Sequence, residues 1–215
     1  MCNGVCSDDK YEFPEGYLQF DNVPDRIACL QIPAACLEIL STKGLLETCL
    51  GAPYRTLIFL YNDYQTGFDK LVEWFNMYQE LLKRPDLINT LIEKYASIGA
   101  EVPALRSQNN IDKGSFSNRL FLFEFILTQD VVVENLSAEQ EQILILLSFE
   151  NKELINNNSD IFSGMHHVAR YLLYAKIMRR DNLASADMLN FIRAPQGVDQ
   201  RTANYLDNYV NNKLK

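Results

Sequence analysis

The chain has 215 residues, 47% of them hydrophobic and 22% charged, with a formal net charge of -8. That length and composition suit an ordinary globular core without a metal or disulfide staple. The negative charge makes duplex DNA, RNA and anionic membrane surfaces poor partners for the molecule as a whole. No uncharged apolar run reaches the roughly 18–20 residues of a membrane span; even Leu120–Leu127 is interrupted by Glu124.

Residues 1–25 are predicted to form a flexible tail or tether, because they carry Ser7-Asp8-Asp9-Lys10, Pro14 and Gly16 but no helical periodicity. A cysteine followed by a short acidic stretch and then a folded domain is the layout of a lipid-anchored chain, with Cys2 or Cys6 as the attachment point. The alternative is a disordered cytosolic N-terminus. The five cysteines, Cys2, Cys6, Cys29, Cys36 and Cys49, are odd in number and confined to the first quarter, which is not a disulfide framework. Cys29, Cys36 and Cys49 read as small core residues, with a Cys29–Cys36 bridge as the minor alternative.

From Pro33 onward, helix start and stop signals recur with short gaps. Pro33 opens a helix through Cys36, Leu37 and Leu40 that stops near Gly44, and Leu45–Leu50 forms a second piece ended by Gly51 and Pro53. Residues 54–64 are apolar and ambiguous between strand and helix; without a second strand to pair with, helix is preferred. Thr66–Arg84 is the clearest amphipathic segment, with Phe68, Leu71, Val72, Phe75, Tyr78, Leu81 and Leu82 at helical spacing. Pro85 restarts the chain, and Leu87, Ile88, Leu91, Ile92, Tyr95 and Ile98 share the next helical face, which ends at Gly99.

The polar stretch 101–115, with Pro103, Asn109 and Gly114, reads as a linker or extended loop. Ser115–Gln129 is apolar on nearly every side and predicts the helix at the centre of the core. Ser137-Ala138-Glu139-Gln140 matches a capping box ahead of another helix, which Asn156-Asn157-Asn158-Ser159 ends. Helices over about 160–180, 185–193 and 198–213 follow. The expected fold is all-α, with roughly eight or nine helices packed as successive antiparallel pairs in a single domain over residues 26–215. A possible subdivision lies at 100–114.

Ile32-Pro33, the run Leu40-Ser41-Thr42-Lys43-Gly44-Leu45-Leu46-Glu47-Thr48-Cys49-Leu50, Tyr61-Asn62, Gly67-Phe68, Phe75-Asn76 and Glu80-Leu81-Leu82-Lys83-Arg84-Pro85-Asp86 together resemble an uncharacterised helical domain of extracytoplasmic bacterial proteins, many of them lipoproteins. The resemblance covers about residues 27–95 and, more faintly, 122–178, including Phe162-Ser163-Gly164 and Ala175-Lys176-Ile177-Met178. It implies a helical fold and an envelope location, with the cytoplasm as alternative, and brings no catalytic or binding residues with it.

Catalytic vocabulary is sparse. His166 and His167 are adjacent, so on a helix they point about 100° apart and cannot chelate one ion as an i, i+4 pair would. Cys36 or Cys49 meeting His166 has no local sequence support. Arg170, Lys176, Arg179 and Arg180 form one basic cluster, best explained as cations complementing a helix C-terminus. We therefore expect no catalytic residues, no metal, no cofactor and no nucleic-acid partner, and contact with a membrane only through a lipid anchor. The expected role is a non-enzymatic envelope module holding a protein or peptide on an aromatic surface near Tyr61, Tyr64 and Trp74. The alternative is a hydrolase whose site is assembled from distant Cys, His and carboxylate groups.

Overall fold

The computed structural model describes residues 4–7, 9–162 and 164–215. Among them the chain is all-α apart from one two-stranded hairpin, and it divides into two compact units. The first comprises Met1–Asn62 and Thr66–Leu87; the second comprises Asp63–Gln65 and Ile88–Lys215. Twelve α-helices occur among the described residues, more than expected, because short helices and one broken helix had been read as longer pieces or as loop.

In the first unit, β1 (Val5–Cys6) pairs antiparallel with β2 (Tyr11–Glu12), setting Cys6 opposite Tyr11. Residues 1–3 and 8 of the segment expected to be a flexible tail lie outside the described residues, and the described part carries regular structure. Tyr11 is fully buried, its N–H donates to Thr48 Oγ1 at 3.0 Å, and its ring meets Phe13 edge-on. One buried aromatic supplies the apolar anchor that the segment's polar composition hides. A 3-10 helix (Glu15–Gln19) follows, and then α1 (Val23–Cys29), capped by the Asn22 side chain accepting from Asp25 N–H at 2.8 Å.

α2 (Ala34–Ile39) and α3 (Thr42–Gly51) separate at Leu40-Ser41 rather than at Gly44. The Ser41 hydroxyl accepts from Gly44 N–H at 3.0 Å, so Gly44 lies in the first turn of α3 instead of ending α2. α3 buries Leu45, Leu46, Cys49 and Leu50. Cys29 and Cys49 are buried as expected, while Cys36 is half-buried. Cys29 is disulfide-bonded, a correction to its reading as a plain core thiol. The Cys29–Cys36 bridge is absent, because Cys36, like Cys6 and Cys49, is a free thiol and faces Cys6 instead.

Residues 54–64, read as a helix, hold only a 3-10 turn (Arg55–Phe59) before α4 (Tyr64–Trp74). The amphipathic segment expected to be one helix breaks at Phe75, whose backbone is extended (φ -127°, ψ 119°), and resumes as α5 (Asn76–Leu81). Two side-chain amides satisfy the backbone groups that the break exposes. Gln31 Nε2 donates to Trp74 O at 2.7 Å, and Gln31 Oε1 accepts from Asn76 N–H at 3.1 Å. Asn76 returns the arrangement, its Oδ1 accepting from Ile32 N–H and its Nδ2 donating to Ile32 O. Hydrophobic periodicity continues across the break because Phe75 is buried on the same side as Leu71 and Tyr78.

In the second unit, α6 (Leu87–Leu105, its first residue counted with the first unit) continues beyond Gly99, where a stop was expected. Val102 is buried, and a Lys94–Glu101 ion pair at 3.0 Å staples the last turns. The polar stretch 101–115 therefore shrinks to a link of residues 106–109. Capped by Asn109, α7 (Asn110–Leu127) has every residue from Leu120 to Leu127 buried, as its all-round apolar pattern predicts. α8 (Asp130–Val133) and α9 (Ala138–Asn156) follow, the latter opened by the expected reciprocal capping box of Ser137 and Gln140. α10 (Met165–Arg180) packs against α7, α8, α9, α11 (Ala186–Arg193) and α12 (Gln200–Lys213), so it is the hub of this unit. Just past its last residue, Asn182 takes the left-handed conformation (φ 60°) while Leu183 N–H reaches back to Met178 O at 2.7 Å. No described helix is long and apolar enough to cross a membrane.

Gly67 of α4 gives the tightest test of the first unit's packing. A Cβ there would stand 2.4 Å from the backbone carbonyl oxygen of Ile58 and 2.7 Å from its Cα. Neither is a flexible group that can swing aside. Gly67→Ala is therefore expected to lower unfolding free energy by about 1–3 kcal/mol in urea titration, despite the higher helix propensity of alanine.

Candidate functional site

The most chemically loaded array lies inside the second unit. Ser117 and Glu124 are seven residues apart on α7, so two helical turns place them on one face. His166, in the first turn of α10, fits between them. Its Nε2 lies 3.0 Å from Ser117 Oγ, and its Nδ1 lies 2.7 Å from Glu124 Oε2. Tyr95 of α6 extends the line by donating its hydroxyl to Glu124 Oε1 at 3.2 Å. Phe121 and Phe162 meet the imidazole edge-on, with ring centroids 6.1 and 5.3 Å away.

Hydroxyl, imidazole and carboxylate stand here in the order of a Ser-His-acid catalytic relay. Access is what differs. His166 is 0% exposed, Glu124 3% and Ser117 4%. Ser117 sits in the body of a helix rather than on a strand-to-helix elbow. Each side-chain polar atom of these three residues has a partner, which is the condition for burying such groups at all.

Beyond this line lies a second tier. Arg170, one turn along α10, is 2% exposed; its Nη2 contacts His167 Nδ1, and its guanidinium lies 5.8 Å from the Tyr171 ring centroid. Its Nε and Nη1 have no hydrogen-bond partner. His167 is half-buried, and burial together with the neighbouring Arg170 charge lowers its pKa, favouring neutral imidazole. Tyr171 donates to Asp207 at 3.0 Å, and Lys152 holds the same carboxylate through both oxygens. Burial first, and then the Asp207 charge, push the Tyr171 phenol up to about 12.

The basic cluster on α10 is spent internally. Lys176 is buried against Asp130 at 2.9 Å; Arg179 pairs with Asp130 and Glu134; Arg180 pairs with Glu141 and Asp181. Together with Lys213, Arg180, Glu141 and Asp181 border an open cleft of about 450 Å³ with an apolar side made by Leu136 and Ile145. Glu141 accepts from Lys213 at 2.8 Å and holds its ammonium above the ordinary value. In the first unit a cleft of about 390 Å³ is lined by Tyr11, Phe13, Tyr17, Thr48 and charged residues of β2 and α3.

The three aromatic residues expected to form one surface are divided between the two units. Tyr61 and Trp74 are half-buried in the first unit. Tyr64 belongs to the second, where its ring packs edge-on against Phe121 and Phe125 at the rim of the core. Of the proposed lipid sites, Cys2 lies outside the described residues, and Cys6 is held in β1 with its thiol toward Cys36. Among the described residues no three His, Cys, Asp or Glu side chains gather as a metal site. Sequence reasoning singled out His166 but missed Ser117, Glu124 and Tyr95. The available signal was the pair of polar residues two turns apart in an otherwise apolar helix.

Comparison with protein-family models, curated proteins and solved structures gives no match, so the functional reading rests on this geometry.

Removing the imidazole strands two buried polar groups. His166→Ala is expected to cost about 3–5 kcal/mol of unfolding free energy in urea titration, and Ser117→Ala about 1–3 kcal/mol. Acid sensitivity has a defined sign. Burial pushes the Asp130 carboxyl up, but Lys176 and Arg179 outweigh it and leave its pKa below the ordinary 3.8. Lys113 lowers Asp160 in the same way, and Thr202 lowers Asp199. Groups with depressed folded-state values stabilise above their unfolded value and lose that contribution as pH falls through the folded value. Thermal midpoints are expected to hold steady down to about pH 5 and to drop steeply below pH 3.8. Asp130→Asn should make that drop shallower.

Proposed function

We propose that the chain is a non-enzymatic binding or scaffolding module of the cell envelope that holds a protein or peptide partner. The observation that carries this reading is the sealing of Ser117, His166 and Glu124 inside the core, while the open cleft of the second unit presents an apolar side and paired charges. Polypeptide segments suit such a rim, because apolar anchors and hydrogen-bonding charges are met together. Ile143 and Leu146 are exposed on α9, the helix that also contributes Glu141, Gln142 and Ile145 to the cleft. An extracytoplasmic location is supported by the disulfide at Cys29, since such bonds persist in oxidising compartments. The reading does not depend on a lipid tether.

A second reading, a hydrolase with Ser117 as nucleophile, draws on the order and distances of the same buried relay. It requires the core between α7 and α10 to open to substrate. Labelling the purified chain with a fluorophosphonate separates the two. No adduct on Ser117 is expected; a stoichiometric adduct, lost in His166→Gln, would overturn the binding reading. In the native host, fractionation and intact mass test the location. An envelope-associated chain, with or without a diacylglycerol adduct, is expected. A wholly cytosolic chain with Cys29 reduced would remove the envelope assignment. Photo-crosslinking from position 143 in that host is expected to capture one defined polypeptide, and capture should fail in Leu146→Asp.

A further inference from the structure

Two kinds of side chain dominate the lining of the cleft of about 390 Å³ in the first unit. Three aromatic residues, Tyr11, Phe13 and Tyr17, share it with three carboxylates, Glu12, Glu15 and Glu47. The rings are fixed in place by one another and by the core. Tyr11 is fully buried and meets Phe13 edge-on with ring centroids 5.2 Å apart, while Tyr17 packs edge-on against Tyr54 at 6.3 Å. Phe13 and Tyr17 are half-buried, so each keeps ring surface for the cleft that it lines.

The charge of this lining has one sign. Among its described residues Lys10 is the one cation, and Glu12 takes its ammonium at 3.3 Å. Three carboxylates against one ammonium leave the lining at net -2. The Thr48 hydroxyl is already engaged, donating to Gly44 O at 2.8 Å and accepting from Tyr11 N–H at 3.0 Å. No arginine, histidine or side-chain amide lines the cleft among the described residues. A phosphate or carboxylate ligand is therefore repelled, and a neutral ligand gains nothing from the charge.

We propose that this cleft binds an organic cation, a quaternary or alkylammonium group, with Phe13 and Tyr17 against its methyl or methylene surface and Glu15 and Glu47 supplying counter-charge. Aromatic rings attract such a cation through their quadrupole and cover its apolar shell at the same time. Glu47 is half-buried on α3, where its field is screened less than that of the exposed Glu15. The cleft volume lies within the range of small-ligand sites. The same head group is carried by free quaternary ammonium compounds and by the lysine side chains of polypeptides. The inference stands independently of the binding role proposed for the second unit.

The test titrates the full chain calorimetrically at low salt with choline, with Nα-acetyl-lysine amide and with 3,3-dimethylbutan-1-ol, the uncharged isostere of choline. At least one cation is expected to bind with one-to-one stoichiometry, about tenfold or more tightly than the isostere, and to weaken as salt is added. Tighter binding of choline assigns the site to a free quaternary ammonium compound, and tighter binding of the lysine amide assigns it to a polypeptide side chain. Tyr17→Leu and Glu15→Lys, each checked for native circular dichroism, should weaken the cation about tenfold, whereas Tyr17→Phe, which keeps the ring, should bind as wild type does. The proposal is overturned if neither cation binds in the millimolar range, if the isostere binds as tightly as choline, or if Tyr17→Leu and Glu15→Lys both retain wild-type affinity.

Discussion

Burying an imidazole and a carboxylate in one apolar core obliges each of their hydrogen-bonding atoms to find a partner there, and the second unit is arranged around that obligation. Glu124 takes His166 on one oxygen and Tyr95 on the other, while Ser117 closes the far side of the ring. Three helices, α6, α7 and α10, are thereby held in one register by directional contacts, where apolar packing alone tolerates sliding. Losing any member strands the others in a medium that cannot solvate them. Groups ordered like a catalytic relay thus form an internal joint of the core.

α10 carries this principle outward. Its N-terminal turn supplies the buried imidazole, its middle supplies Arg170 and Lys176, and its last turn supplies Arg179 and Arg180 to carboxylates on α8 and α9. A chain with net charge -8 thus spends several of its cations on holding its own acidic groups. Cations near the C-terminus of α10 also complement the helix dipole. Dipole complementation and internal pairing act on the same residues, so the cluster's concentration in one helix follows from that helix being the hub.

Local signals were legible in the sequence, and long-range ones were not. The capping box at Ser137, the serine opening α11 and the all-round apolar pattern of α7 each involve residues within a few positions of one another, and the structure follows them. Ser41 shows how a local signal can be misplaced: a glycine three residues later imitates a helix end, yet the hydroxyl makes it a first-turn residue. The buried relay joins residues 42 and 49 positions apart, which no periodicity encodes. The hairpin escaped notice because one buried tyrosine, rather than an alternating pattern, holds it to α3.

The break at Phe75 bears on how the first unit assembles. Residues 66–82 carry an unbroken amphipathic stripe, so their local preference is one continuous helix. The groups that stabilise the interruption come from Gln31 and Ile32, 44 or 45 positions upstream. The separation of α4 from α5 thus depends on side chains and backbone from the link between α1 and α2, and local preference and tertiary contact point to different structures at this one place.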